Sequence, residues 1–358
     1  MPENSMNGIE WIKHAKTMGK IVIAEIAPAA RVAFGEPFGI EAGTNSLGKI
    51  ISILKSIGVD YVIDTSLGAD LTSYYEAIEA MKEINTGPEN FLILNSCCTG
   101  WRLYAEKKHP ELSKNISRLV SPQMLLGGAS KYFFSKKLGI KIDNIAVVGI
   151  MPCIQKKEET KEKMKNGIAY VDYIITTNEL ATWAKNSGID FKSLKEASLD
   201  NDVPFPSGLG LGFGSTGGVM NSLLARIAEM CNEKLDIETF DSDSSIKKGV
   251  ASIGGKKFKI AVVYGLMNFE KIYEEIKKGA VYNFIEVMMC PFGCVGGAGQ
   301  PPASYNIIKK RMDGLKRISS TKSEGPEAKE AFTSFVKELE DFNNETDFIH
   351  FSRQNSGL

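Results

Sequence analysis

Residues 144–159, NIAVVGIMPCIQKKEE, set the terms for the rest of the chain. A β-rich apolar run reaches Met151 and gives way at Pro152 to a loop that carries Cys153 and then a charged segment. The stretch therefore reads as a strand that delivers a thiol at its C-terminal end. Similar runs stand at 20–28 (KIVIAEIAP), 59–65 (VDYVIDT), 90–96 (NFLILNS), 171–177 (VDYIITT) and 258–265 (FKIAVVYG). Several precede amphipathic helical patterns, and that alternation predicts parallel α/β layers. Leu47, Ile50, Ile51 and Leu54 fall at helical spacing after a Thr44 cap and before Gly58. Thr176 and Glu179 have capping-box spacing and open the helix pattern ELATWAKNSG. ASI-GGKK-FKIAVV, within 251–263, reads as a hairpin with a glycine turn, which adds an antiparallel pair.

Two other stretches complete the outline. Residues 186–218 are rich in Gly, Ser, Asp and Pro and form a candidate site-lining loop. In PEAKEAFTSFVKELEDF, Ala328, Phe332, Phe335, Val336 and Leu339 share a helical face, so a docked terminal helix is expected.

Composition narrows the function. With 358 residues and 43% hydrophobic content the chain can build a substantial core. Lys+Arg and Asp+Glu are both 43, a balance that gives no reason to expect a nucleic-acid or membrane-surface protein. No segment reaches the ~20 apolar residues of a spanning helix and the first line carries no signal-peptide core, so a soluble, cytoplasmic protein is expected. His14, His109 and His350 lie beside no Cys or Ser motif, which argues against Cys–His or Ser–His–Asp catalysis.

The remaining chemistry is sulfur chemistry. The six cysteines are too few for a disulfide scaffold in a chain of this length, and five of them fall in three motifs. These are NSCCTGW at 95–101, MPCIQKKEE at 151–159 and EVMMCPFGCVGGAGQPP at 286–302. Four thiolates drawn from these loops could complete the shell of a [4Fe–4S] cluster. A Cys₄ zinc site is the competing reading, although one C-x₃-C, one adjacent pair and one lone cysteine are not zinc-knuckle spacings. Cys231, in LLARIAEMCNEK, reads as a packing residue.

These three motifs, in this order, resemble the signatures of the iron-only, or [FeFe], hydrogenases. IAPAARVAFGEPFG, DTSLGADLT, SPQM, ITTNELA and GFGSTGGVM are similar to the same catalytic domain, and the resemblance runs from about residue 20 to 302. It implies an α/β fold of two lobes, with mostly parallel mixed sheets flanked by helices and the cofactor between the lobes. The expected division is 1–143 and 144–302 for the lobes, with 303–358 as a C-terminal helical segment.

The resemblance also implies roles. Cys98, Cys153, Cys290 and Cys294 would hold a [4Fe–4S] cluster, and Cys294 would bridge to a diiron subcluster with CO, CN and bridging dithiolate ligands, together the H-cluster. Lys156 would donate to a cyanide beside Pro28 and Ala29, while Gln123, Met151, Met288 and Phe213 would surround the carbonyl side. Cys97, Glu76, Ser117 and Glu79 would carry protons, with Glu159 in the matching place of the second motif. Glu76 and Glu79 are spaced i, i+3 on one predicted helix.

Asn95, Thr99, Ala29 and Ala298 stand where the family usually has threonine, proline, serine and glycine. Because no cysteine precedes Cys97, electrons are expected from a ferredoxin-like donor that meets lysines among 107–118 or 156–165. The expected activity is reversible proton reduction to dihydrogen by a monomer loaded by hydrogenase maturation proteins. An iron–sulfur assembly scaffold and a dihydrogen sensor are the alternatives.

Overall fold

A computed structural model describes residues 6–242, 245–322 and 325–349. Nine strands form two sheets, introduced here in chain order: β1 Ile21–Ile26, β2 Tyr61–Asp64, β3 Ile93–Leu94, β4 Ile145–Met151, β5 Tyr173–Thr176, β6 Leu235–Ser242, β7 Ile246–Ile253, β8 Lys256–Tyr264 and β9 Phe284–Met288. The first sheet, β2-β1-β4-β5, is wholly parallel. The second, β3-β9-β8-β7-β6, is mixed, with antiparallel β8/β7 and β7/β6 pairs. The glycine turn is present at Gly254 and Gly255 (φ 54° and 79°), and the left-handed backbone there suits the twist of a tight hairpin.

The first sheet is covered on both faces, which is why its strands read as near-continuous apolar runs. Val22, Ala24, Ile26, Val148 and Ile150 pack with the apolar faces of helices Gly8–Thr17, Leu47–Ser56 and Thr177–Asn186. Ile23, Ile63, Ile145 and Val147 pack with helices Ser66–Thr86 and Pro122–Leu138 on the other face. The Thr176–Glu179 capping box forms as expected. The cap of the second helix is Ser46 rather than Thr44, and Asn45 Oδ1 accepts from the Leu47 N–H.

The expected boundary at 143/144 does not coincide with the sheets. β4 and β5 join β1 and β2 in the first sheet, while β3 leaves them to pair with β9 in the second. Chain order and spatial order part here because parallel neighbours are joined by crossovers. Only the end of the 186–218 stretch lines the site; before that it covers the exposed side of β2, where Asp200 exchanges hydrogen bonds with Val62. Helix Pro326–Thr346 docks through Phe335, Val336 and Leu339, while Ala328 is exposed.

Helices 66–86 and 122–138 touch so closely at Gly68 that a Cβ there would lie 2.1 Å from the Pro122 carbonyl oxygen and 2.9 Å from Leu126 Cβ. Gly68→Ala is therefore expected to cost about 1–3 kcal/mol as overpacking, read as a lower denaturant midpoint at unchanged slope.

Candidate active site

The two sheets bring the three cysteine motifs together. β3 leads into Cys97 and Cys98, β9 into Cys290, and β4, from the other sheet, into Cys153. Cys294 opens a short 3-10 turn in the glycine-rich loop. Burial first, then the neighbouring Cys98 and Cys153, pushes the Cys290 thiol up to about 12. The same causes, with Cys97 and Cys290 added, raise Cys294 further. Such thiols stay protonated unless a metal ionises them, so the donor set fits a cluster of high positive charge.

A single ion fits less well. Tetrahedral zinc, with Zn–S near 2.3 Å, requires sulfurs about 3.8 Å apart. Among the described residues no three His, Cys, Asp or Glu side chains are grouped to hold one metal ion. A cubane puts a separate iron behind each thiolate and accepts a wider spacing.

The ligand loop is locked from behind. Phe292 and Gly293 have φ of 59° and 88°, and a Cβ on Gly293 would meet Thr216 N at 2.8 Å. Buried Arg311 pairs with both Glu36 carboxylate oxygens at 2.6 Å and donates to the carbonyls of Val295 (3.2 Å) and Pro301 (2.7 Å). Glu286 on β9 accepts from the N–H groups of Gly217 (2.7 Å) and Met220 (2.8 Å), which fixes the strand before Cys290 to the GSTGGVM turn.

Beside the sulfurs lies a cavity of about 70 Å³. Pro28, Ala29, Gln123, Met151, Met288 and Phe213 all line it, with Lys156, Cys97, Cys98, Cys153 and Cys294. Cys290 is not on its wall, and its sulfur accepts from the Ala298 N–H.

Lys156 donates to the Cys97 carbonyl at 3.1 Å and to Glu159 Oε1 at 2.8 Å. Burial opposes the charge on each, but the Lys156 ammonium and the hydroxyl donors of Ser121 and Thr99 outweigh it for Glu159, and its carboxyl is held below the usual range. Its other donors are Thr99, Ser121 at 2.5 Å and Gln123 at 2.7 Å. An anion bonded this fully is a poor proton carrier, so the contacts give Glu159 the place of a counter-ion rather than of the relay named for it.

The other residues expected to carry protons lie near one another. Cys97 is buried, Asn95 Nδ2 donates to its sulfur at 3.3 Å, and Glu76 bears on it electrostatically. Burial pushes the Glu76 carboxyl up to about 8, against the pull of the Ser117 hydroxyl and with a smaller push from Glu79. Ser117 is buried and Glu79 half-buried, so the series leads outward from the cavity.

Residues 20–298 match the model of the iron only hydrogenase large subunit, C-terminal domain. The chain belongs to that family. Iron hydrogenase 1 of Clostridium pasteurianum is 37% identical over 303 residues, which cover 81% of this chain and 52% of that protein. An [FeFe]-hydrogenase from Chlamydomonas reinhardtii has a TM-score of 0.79 at 28% identity over 94% of both chains. The cytosolic iron-sulfur assembly component 3 of Mus musculus is 28% identical over 330 residues, 86% of this chain and 68% of that one. The chain spans about half the length of that Clostridium pasteurianum protein and of the NADP-reducing hydrogenase subunit of Solidesulfovibrio fructosivorans.

Within this hydrogenase-family domain, two departures from the usual motif have visible consequences. Thr99 supplies a hydroxyl to Glu159 that a proline could not, and Asn95 bonds both the Cys97 sulfur and, at 3.2 Å, the Val287 carbonyl. Glu25 and Thr65 also belong to the site, although no motif singles them out. Thr65 lines the cavity, and Glu25 is wholly buried on β1 within electrostatic reach of Lys156. A carboxylate inside the apolar run KIVIAEIAP was the available signal.

Two outcomes follow from these charges. Glu159→Ala leaves a nearly buried ammonium without its counter-ion and is expected to cost about 3–5 kcal/mol in denaturant unfolding. Glu76, raised to about 8, keeps a proton on folding that the unfolded chain releases near its ordinary value of ~4.3. Its contribution is fully present below that unfolded value and is lost as pH rises toward 8. Wild type should therefore lose up to about 1.4 kcal/mol per pH unit relative to Glu76→Gln between pH 5 and 8, measured by denaturant titration across pH.

Proposed function

We propose that the chain is an [FeFe] hydrogenase, catalysing the reversible reduction of protons to dihydrogen with electrons from a ferredoxin-type donor. The observation that carries this is Cys97: a thiol left out of the ligand set stands on the cavity wall with the acid series behind it. In this reading Cys98, Cys153, Cys290 and Cys294 hold the [4Fe–4S] cluster, and Cys294 joins it to the diiron subcluster in the cavity. When bound, that group supplies electrons and an open coordination position.

The protein's part is proton handling and orientation. Cys97 delivers or receives the proton at the cavity and exchanges it with Glu76, whose value near 8 lets it both hold and release a proton at neutral pH. Ser117 passes it to Glu79. Lys156, with two N–H bonds fixed on Cys97 and Glu159, has a third to direct at a cyanide in the cavity. Met151, Met288 and Phe213 keep water from the carbonyl side.

Loading by maturation proteins and a monomeric state belong to this proposal, as does a cytoplasmic setting; among the described residues no helix is long and apolar enough to cross a membrane. Of the lysines proposed to meet the donor, Lys157 pairs with Glu179 and Lys161 with Glu158, so any docking there competes with those pairs.

The similarity to an iron–sulfur assembly component favours a second reading, in which the cysteines hold a cluster without a diiron partner. Anaerobic loading with the diiron cofactor and infrared spectroscopy separates the two: carbonyl and cyanide bands are expected, and a cluster-bearing chain without them supports the assembly reading. In Cys97→Ala the bands should persist while turnover falls at least ~100-fold, the scale of a lost acid–base group. Unchanged turnover would exclude Cys97 from proton transfer.

A further inference from the structure

Glu25 is fully buried on β1, and neither of its carboxyl oxygens has a hydrogen-bond partner. Alternation along the strand puts it on the face of Ile23 and Ala27, toward helices 66–86 and 122–138. The groups that bear on it there are Lys156 and Glu159 from the segment after Cys153 and Thr65 from the end of β2, whose buried hydroxyl faces the carboxyl and favours its ionised form but makes no close hydrogen bond. Gln123, from helix 122–138, comes over the same strand pair. Gly149 is the register partner of Glu25, and a Cβ on Gly149 would lie 3.0 Å from Gln123 Oε1.

Gln123 Oε1 is itself buried without a donor. Its amide nitrogen is engaged, with Glu159 Oε2 at 2.7 Å and the Lys156 carbonyl at 3.3 Å. An ionised Glu25 would offer only more acceptors to this acceptor, and it would add a second buried negative charge beside one ammonium that already serves Glu159. A carboxylic acid resolves both conflicts, because its O–H can donate where a donor is missing.

We infer that Glu25 is a neutral carboxylic acid and a positioning residue of the site: its hydroxyl donates to Gln123 Oε1, fixing the amide that braces Glu159. Lys156 then stays paired with Glu159 and keeps a donor for the cavity. Loss of the proton would set two carboxylates in competition for Lys156. The consequence for the cavity rests on the hydrogenase reading; the protonation and the Glu25–Gln123 bond do not.

The test is infrared spectroscopy of the full chain carrying its iron–sulfur cluster, before and after diiron loading. Burial also raises Glu76 and Glu286, so the signal is read in the wild type minus Glu25→Gln difference. A protonated-carboxyl stretch that persists from pH 5 to 8, shifts in ²H₂O and vanishes in Glu25→Gln is expected, and in Gln123→Leu it should move toward the position of an unbonded acid. After loading, the cyanide bands should stay in place in Glu25→Gln and move in Glu25→Leu. A carboxylate stretch at pH 7 in place of the acid overturns the proposal, as does an acid stretch indifferent to Gln123→Leu. Absence of diiron bands in wild type would count against the hydrogenase reading, while the acid stretch still decides the state of Glu25.

Discussion

Four half-buried thiols gathered at the meeting of two sheets are the constraint on which the rest depends. Desolvation and mutual repulsion make ionised Cys153, Cys290 and Cys294 unfavourable without a compensating positive charge. A backbone that gathers them must be held by interactions that do not involve the sulfurs. Arg311 on the Val295 and Pro301 carbonyls, Glu286 on the helix at Gly217, and the positive-φ turn at Phe292 and Gly293 serve that purpose. Each fixes a loop from the side away from the cavity and leaves the sulfurs to face inward.

The sheet topology supplies the convergence. β4 brings Cys153 from the parallel sheet, while β3 and β9 bring the other ligands from the mixed one. Local patterns made the strands legible because both faces of β1 and β4 are buried and their sequences are apolar, Glu25 excepted. Pairing was not legible: β3 contributes only Ile93 and Leu94 to its ladder, and nothing in NFLILNS says that its neighbour is a strand nearly two hundred residues on. The boundary expected at 143/144 cuts across the first sheet for the same reason, since a crossover leaves no mark on local periodicity.

The cavity walls were legible only through motif resemblance. Met151, Met288 and Phe213 carry no sign in composition that separates them from core residues, and they are as buried as core. Glu159 shows the opposite limit. In sequence it is one carboxylate of a charged run, but the fold removes it from water and surrounds it with Lys156, Thr99, Ser121 and Gln123. Thr99 and Ser121 come from different motifs, so the counter-ion site exists only after the motifs meet.

Environment then sorts the buried carboxyls. Glu159 has the ammonium and three further donors and is held ionised. Glu76 has the Ser117 hydroxyl against the combined push of burial and Glu79, and keeps its proton near neutral pH. Glu286 receives helix N–H groups and still rises to about 7, because uncharged donors only partly replace water around an ion. One lysine can neutralise one carboxylate beside the cavity, and the carboxyls of Glu76 and Glu286, without such a partner, are pushed up instead. In the proposed hydrogenase reading, a site that takes up and releases protons beside a charged cluster requires acids whose ionisation is decided by their neighbours, and Lys156, by pairing with Glu159, sets the terms for the rest.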